Sequence, residues 1–163
     1  MNLVVPFDGS ALAEAALVRA AQFGETFEAE ILAVTVIPNG NATYARERGW
    51  LDPDEPFDNE RIVGRLRDQV TASAPSASFR AVLVDRSAPY GTIALRIRTF
   101  ARKVNAAMVF VGSENAGRIV TSVSSVGANV ATEDSYDVVI VRSARPSRLE
   151  TSAAESEDER QGQ

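Results

Sequence analysis

Apolar positions in this chain follow two patterns, short continuous runs and helical spacing, and the two alternate from end to end. Leu3-Val-Val-Pro-Phe7 is an apolar run closed by Asp8-Gly9-Ser10, the composition of a buried strand ending in a turn. Leu12, Ala16, Ala20 and Phe23 then recur at helical spacing, with Ser10 placed to cap the helix and Gly24 to end it. Ile31 to Ile37 is rich in β-branched residues and stops at Pro38, which predicts a second strand. Asp58 or Asn59 caps a helix carrying Ile62, Leu66 and Val70 on one face, and Pro75 marks its end. Phe79 to Val84 is a third strand. Pro89 opens a helix with Ile93, Ile97, Ala101 and Val104 on one face; Arg98, Arg102 and Lys103 in its last two turns complement its dipole. Ala106 to Gly112 is the fourth strand. A small polar loop, Ser113 to Gly117, a Ser-rich stretch, Thr121 to Ser125, and a short helical pattern with Val126 and Val130 lead to the last strand, Asp137 to Val141.

Strands alternating with helices predict an α/β fold, one doubly wound parallel five-stranded sheet with right-handed crossovers. Ligands of such sheets sit at the carboxyl ends of the strands, where the winding reverses. If strands one and four flank that point, Asp8 and Gly112 face one crevice. A strand, a Gly/Ser loop and a helix N-terminus together have the form of a phosphate cradle. Two segments stand outside the alternation. Asn39 to Asp58 is irregular, holds Trp50 and two prolines, and carries five acids and no base between Asp52 and Glu60. It reads as a solvated insertion pinned by Trp50, with a helical turn at Tyr44 to Arg48. Past Arg145 the chain is polar and acidic without apolar periodicity, so residues 1–143 form the domain and 144–163 a disordered acidic tail.

Composition narrows the chemistry. A chain of 163 residues suits one domain with a real core. It contains no cysteine and no histidine, which excludes disulfides, thiolate metal sites, the usual general base and any Ser-His-Asp triad. No convincing acid pair replaces them, so an enzyme is not expected, nor a metal site. The net charge of −5 argues against nucleic acid as a partner. Lys103 is the only lysine; a salt-rich cytoplasm and a G+C-rich genome both account for that. No apolar run has the length of a membrane helix and the N-terminus lacks a signal-peptide layout, so a cytoplasmic protein is expected, with no membrane partner. Without secretion the Asn41-Ala-Thr43 sequon is accidental. Asp85 with Arg86 reads as a loop ion pair.

Val4-Val-Pro-Phe-Asp-Gly-Ser10, the Val34-Thr-Val-Ile37 strand end and Val109-Phe-Val-Gly-Ser113 resemble the universal stress protein family. So does Ser124-Ser-Val-Gly-Ala-Asn-Val130 followed by Asp137 to Val141. The resemblance covers residues 1 to about 143. It implies the sheet order 3-2-1-4-5 of the Rossmann-like, adenine nucleotide alpha hydrolase-like folds, a homodimer formed through strand 137–141, and a regulatory role in stress tolerance. The family has nucleotide-binding and non-binding branches, and the binding branch carries Gly-x2-Gly-x9-Gly-Ser/Thr. Here Gly112 matches the first glycine and Asn115 stands at the second; counting back from the last strand places Ser124 at the third and Ser125 at the hydroxyl, one residue short. A rival register through Gly117 and Gly127 keeps two glycines and loses the hydroxyl. Under the preferred register the resemblance implies that Pro6, Phe7, Asp8 and Val36 line the adenosine, and that Gly112, Asn115, Ser124, Ser125 and Val126 face the phosphates of ATP or AMP. A Cβ in such a loop blocks close backbone approach, so the expected binding is weak, with the triphosphate gaining little over adenosine. The alternative is a nucleotide-free dimeric interaction protein of the same fold. Asp8 also serves as a plain turn cap, and Ser124 and Ser125 as plain N-caps; these readings stay open.

The tail yields the first test. Deleting Ala144 to Gln163 should move the melting temperature by less than a few degrees, which for a domain of this size is within roughly 1 kcal/mol. A larger fall in a thermal melt means that the tail packs on the domain.

Overall fold

The computed structural model describes residues 1–119 and 135–144; the expected features between Thr121 and Val130, and the tail from Arg145, lie outside the described residues. Five strands, β1 (Asn2–Pro6), β2 (Glu30–Pro38), β3 (Ser78–Val84), β4 (Ala106–Gly112) and β5 (Asp137–Val141), form one sheet of order β3-β2-β1-β4-β5. Every pairing is parallel. The helices are α1 (Ala11–Phe27), α2 (Ala42–Glu47), α3 (Asn59–Ser73), α4 (Tyr90–Lys103) and α5 (Ser113–Ile119). No helix of the described residues is long and apolar enough to cross a membrane.

The winding reverses between β1 and β4, and it divides the core in two. On one face Leu17 of α1 and Ile62 and Leu66 of α3 pack with Leu3, Val5 and Phe110. On the other, Ala101 of α4 and Ala116 and Ile119 of α5 pack with Val4, Val34, Val109 and Val111. Adjacent strand residues point to opposite faces, so the continuous apolar runs of β1 and β4 supply both layers. That is why these strands carry no polar alternation. Thr35 is the exception, buried in the middle of β2, and its hydroxyl donates to the Phe7 carbonyl.

Local structure follows the sequence signals with departures at Gly24, at Ser113 to Gly117 and at Asp85. Ser10 caps α1 through its Oγ, which accepts the Ala13 N–H at 3.2 Å, and Asp58 caps α3. Gly24, expected to end α1, lies inside it; the helix runs to Phe27 and closes at Glu28 with φ 53°. The Phe23 and Phe27 rings, one turn apart, stack at 4.4 Å. A Cβ on Gly24 would stand 2.8 Å from Ile31 Cδ1 and 3.0 Å from the Ala29 carbonyl, so this glycine serves the approach of β2. Ser113 to Gly117, expected as a loop, is helical, because Ala116 and Ile119 turn inward at three-residue spacing and are buried. The Asp85–Arg86 ion pair gives way to a local turn, in which Asp85 Oδ1 accepts from Ser87 N at 2.9 Å and Ser87 Oγ at 2.8 Å. These two bonds hold the Asp85 carboxyl below its ordinary pKa.

Candidate functional site

Beyond Pro6 the chain leaves the sheet through a turn that several segments share. Gly9 takes φ +81°, a conformation that favours glycine. Asp8 Oδ1 accepts the Ser10 N–H at 2.9 Å, and the Gly9 carbonyl accepts Gln69 Nε2 of α3 at 3.0 Å. Asp8 Oδ2 faces α5, where Asn115 Nδ2 lies 3.4 Å away. The Asp8 carbonyl accepts the Trp50 indole N–H at 2.7 Å. Asp8 is therefore a turn cap, and it also borders a cleft.

That cleft opens on the α4/α5 face at the carboxyl ends of β1 and β2. Its empty space, open mouth included, is about 560 Å³. Its floor is Pro6, Phe7, Val34 and Val36; Ile93 and Ile97 of α4 form one wall. Asp8, Asn115 and Arg48 are its charged or amide-bearing groups. Among the residues expected from the sequence, the structure brings together Pro6, Phe7, Asp8, Val36 and Asn115. Gly112 is not among the lining residues. A Cβ there would lie 2.9 Å from Leu12 Cβ of α1, so its lack of a side chain serves the packing of α1 on β4. Ser124, Ser125 and Val126 lie outside the described residues.

Three lining residues, Tyr44, Arg48 and Trp50, come from the insertion between Asn39 and Asp58, expected to be solvated. It is folded instead, and by local rules. Asn41 caps α2, its Oδ1 accepting the Tyr44 N–H, while its Nδ2 donates to the Arg86 carbonyl at 3.0 Å. At the other end Gly49 (φ +74°) donates to the Arg46 carbonyl at 3.0 Å and Trp50 N to the Ala45 carbonyl at 2.9 Å. This is a Schellman ending with glycine at its left-handed position. The reversed chain delivers Trp50, 4% exposed, onto Asp8. Gly49 directly after a helical turn was the sequence signal for this wall.

The acids of the insertion fasten it. Arg65 meets Glu55 through two bonds of 2.8 and 3.1 Å and also donates to the Trp50 carbonyl at 3.0 Å. Arg61 adds a 2.7 Å bond to Glu55, and Asp52 N one of 3.0 Å. Arg65 above all, then Arg61 and the Asp52 amide, hold the Glu55 carboxyl far below the usual carboxylate range.

The sequence model of the universal stress protein family matches residues 1–155. The chain belongs to that family. A universal stress protein crystallised in complex with cAMP is 28% identical, with 87% of this chain and 96% of that one covered and a TM-score of 0.51. The universal stress protein of Archaeoglobus fulgidus shares the fold at 17% identity, 87% and 93% coverage and a TM-score of 0.52. A family member from Burkholderia pseudomallei does so at 18%, 87% and 96%, and 0.51. No curated protein matches the sequence. A stress-response role follows at the level of the family, and the cleft just described lies at the strand ends of this universal stress protein.

The Glu55 clamp makes the wall acid-sensitive. Its folded-state pKa is depressed, so its contribution is complete above the ordinary glutamate pKa of about 4.3 and is lost as pH falls below that value. Trp50, the only tryptophan, reports on the wall. Its emission should change progressively as pH falls below about 4 toward the depressed folded-state value. In Glu55→Gln the wall should be looser at about pH 7 and its response below about pH 4 shallower. Parallel titrations of the two proteins would show that the clamp does not hold the insertion.

Proposed function

We propose that this universal stress protein is a regulatory binding module whose cleft takes an adenine nucleotide weakly, through Pro6, Phe7, Asp8 and Val36 on the base side and Asn115 toward the phosphates. The observation that carries the reading is the cleft itself, which lies at the switch point of the sheet and is lined by apolar strand and helix residues together with Asp8, Arg48 and Asn115. The cAMP complex of the 28% identical relative supports that ligand class. Weakness follows from Asn115, whose side chain projects toward Asp8 where a phosphate loop favours bare backbone. Catalysis is not part of this reading. The chain has no histidine or cysteine, and among the described lining residues the one carboxylate, Asp8, already accepts from Ser10 N.

Calorimetry tests it. AMP and ATP should both bind, ATP gaining less than about tenfold over AMP, which is roughly 1.4 kcal/mol. Asp8→Asn keeps the turn acceptor and should weaken both. Silence with adenosine, AMP and ATP alike would favour the nucleotide-free interaction module. ATP binding a hundredfold tighter than AMP would show that the loop works despite Asn115.

We further infer a homodimer through Asp137 to Val141. β5 is the outer strand of the sheet, Ile140 is 46% exposed, and Val138 and Val139 are half-buried. An apolar outer strand is a ready pairing edge. Light scattering should give a dimer at micromolar concentration and a monomer for Val139→Lys; a monomeric wild type, or an intact dimer in the variant, overturns this interface.

A further inference from the structure

Arg48 sits where the insertion meets the cleft, at the C-cap of α2. Its guanidinium lies over the Tyr44 ring, 3.4 Å from the centroid, and 5.7 Å from that of Tyr90 at the start of α4. Among the described residues it is the only cation lining the cleft, and no carboxylate there pairs with it. Stacking occupies the face of a guanidinium and leaves its N–H groups directed outward in the plane, the geometry that grips an oxyanion with two parallel bonds. A cation at a partly apolar cleft with no carboxylate partner is incompletely compensated by a ring alone. The wall that carries it is held in place before any ligand arrives. Asn41 and Gly49 close the two ends of α2, Trp50 is tied to Asp8, and Arg46 Nη2 donates to the Glu55 carbonyl at 2.9 Å. Such a group can bind without a large ordering cost.

We propose that Arg48 is the specificity-determining anion anchor of this cleft, its guanidinium edge taking a phosphoryl oxygen of the ligand. The proposal rests on the adenine-nucleotide reading above and deepens it. A cation contributed by the insertion provides the phosphate contact that a loop with Asn115 in place of glycine provides poorly. The cleft then distinguishes a nucleoside phosphate from the nucleoside, and a single phosphoryl group is enough for the distinction.

Calorimetry with AMP and with adenosine, on the wild type, Arg48→Gln and Arg48→Lys, separates the outcomes. The wild type should bind AMP about tenfold or more tighter than adenosine, a gain that the degenerate loop alone does not provide and that charge-assisted bonds from Arg48 supply. Arg48→Gln should bring AMP down to the level of adenosine and leave adenosine unchanged. Arg48→Lys keeps the charge and loses the fork, and should retain part of the preference. Thermal melts and Trp50 emission close to wild type establish that each variant keeps its wall; if Arg48→Gln does not, Arg48→Lys alone decides, by losing preference for AMP or not. Equal affinity for AMP and adenosine in the wild type overturns the anchor and leaves the nucleotide cleft standing. An equal fall for both ligands in the variants overturns it too, since it marks a structural role. Silence of the folded wild type with both ligands sinks the nucleotide reading, and the anchor with it.

Discussion

The carboxyl edge of the sheet depends on the turn Asp8-Gly9-Ser10. Within three residues it ends β1, caps α1, receives Gln69 from α3 and the Trp50 indole from the insertion, and presents a carboxylate oxygen to Asn115 of α5. Each bond satisfies a backbone or side-chain group that the end of a parallel strand would otherwise leave exposed or buried without a partner. The positive φ of Gly9 lets the chain reverse tightly enough for both faces of the sheet to be reached. A Cβ there would also press on Gln69 Oε1 at 3.1 Å. The cleft inherits its position from this turn, since the strand that ends in it is the one at which the winding reverses.

The insertion turns that crevice into a walled site. Its helix is only six residues long and would not persist alone. Two caps, one buried indole and the Glu55 ion pairs hold it. Exposed ion pairs contribute little by themselves; here Arg65 bonds both Glu55 oxygens and the Trp50 carbonyl together, and the Glu55 side chain is 14% exposed. The acids that look in sequence like a solvated run therefore include the one carboxylate around which the wall is organised. Tyr44, Trp50 and Arg48 face the cleft as a consequence.

Glycines in this protein divide by what surrounds them. Gly24 and Gly112 are small because another element comes close, Ile31 in one case and Leu12 in the other, whereas Gly9 and Gly49 are needed for their backbone angle. A glycine at a strand end beside a Ser-containing segment invites a phosphate-loop reading. For Gly112 the packing of α1 on β4 is reason enough for the residue.

From the sequence alone came most element types and the parallel, doubly wound sheet, because these rest on local periodicity and on caps such as Ser10 and Asp58. The rule that places ligands at strand ends put Asp8 beside the crevice. The strand order and the lining by Pro6, Phe7 and Val36 followed from the family resemblance. Tertiary structure alone decided the rest. Gly24 does not stop α1 because β2 packs against it, Ser113 to Gly117 is helical because Ala116 and Ile119 find a core to enter, and Gly112 packs against Leu12 of α1. Arg48 could not be assigned to the site from its neighbours in sequence: a short polar segment acquires a facing direction only when Trp50 finds Asp8, and Glu55 finds Arg61 and Arg65, across contacts that no local pattern encodes.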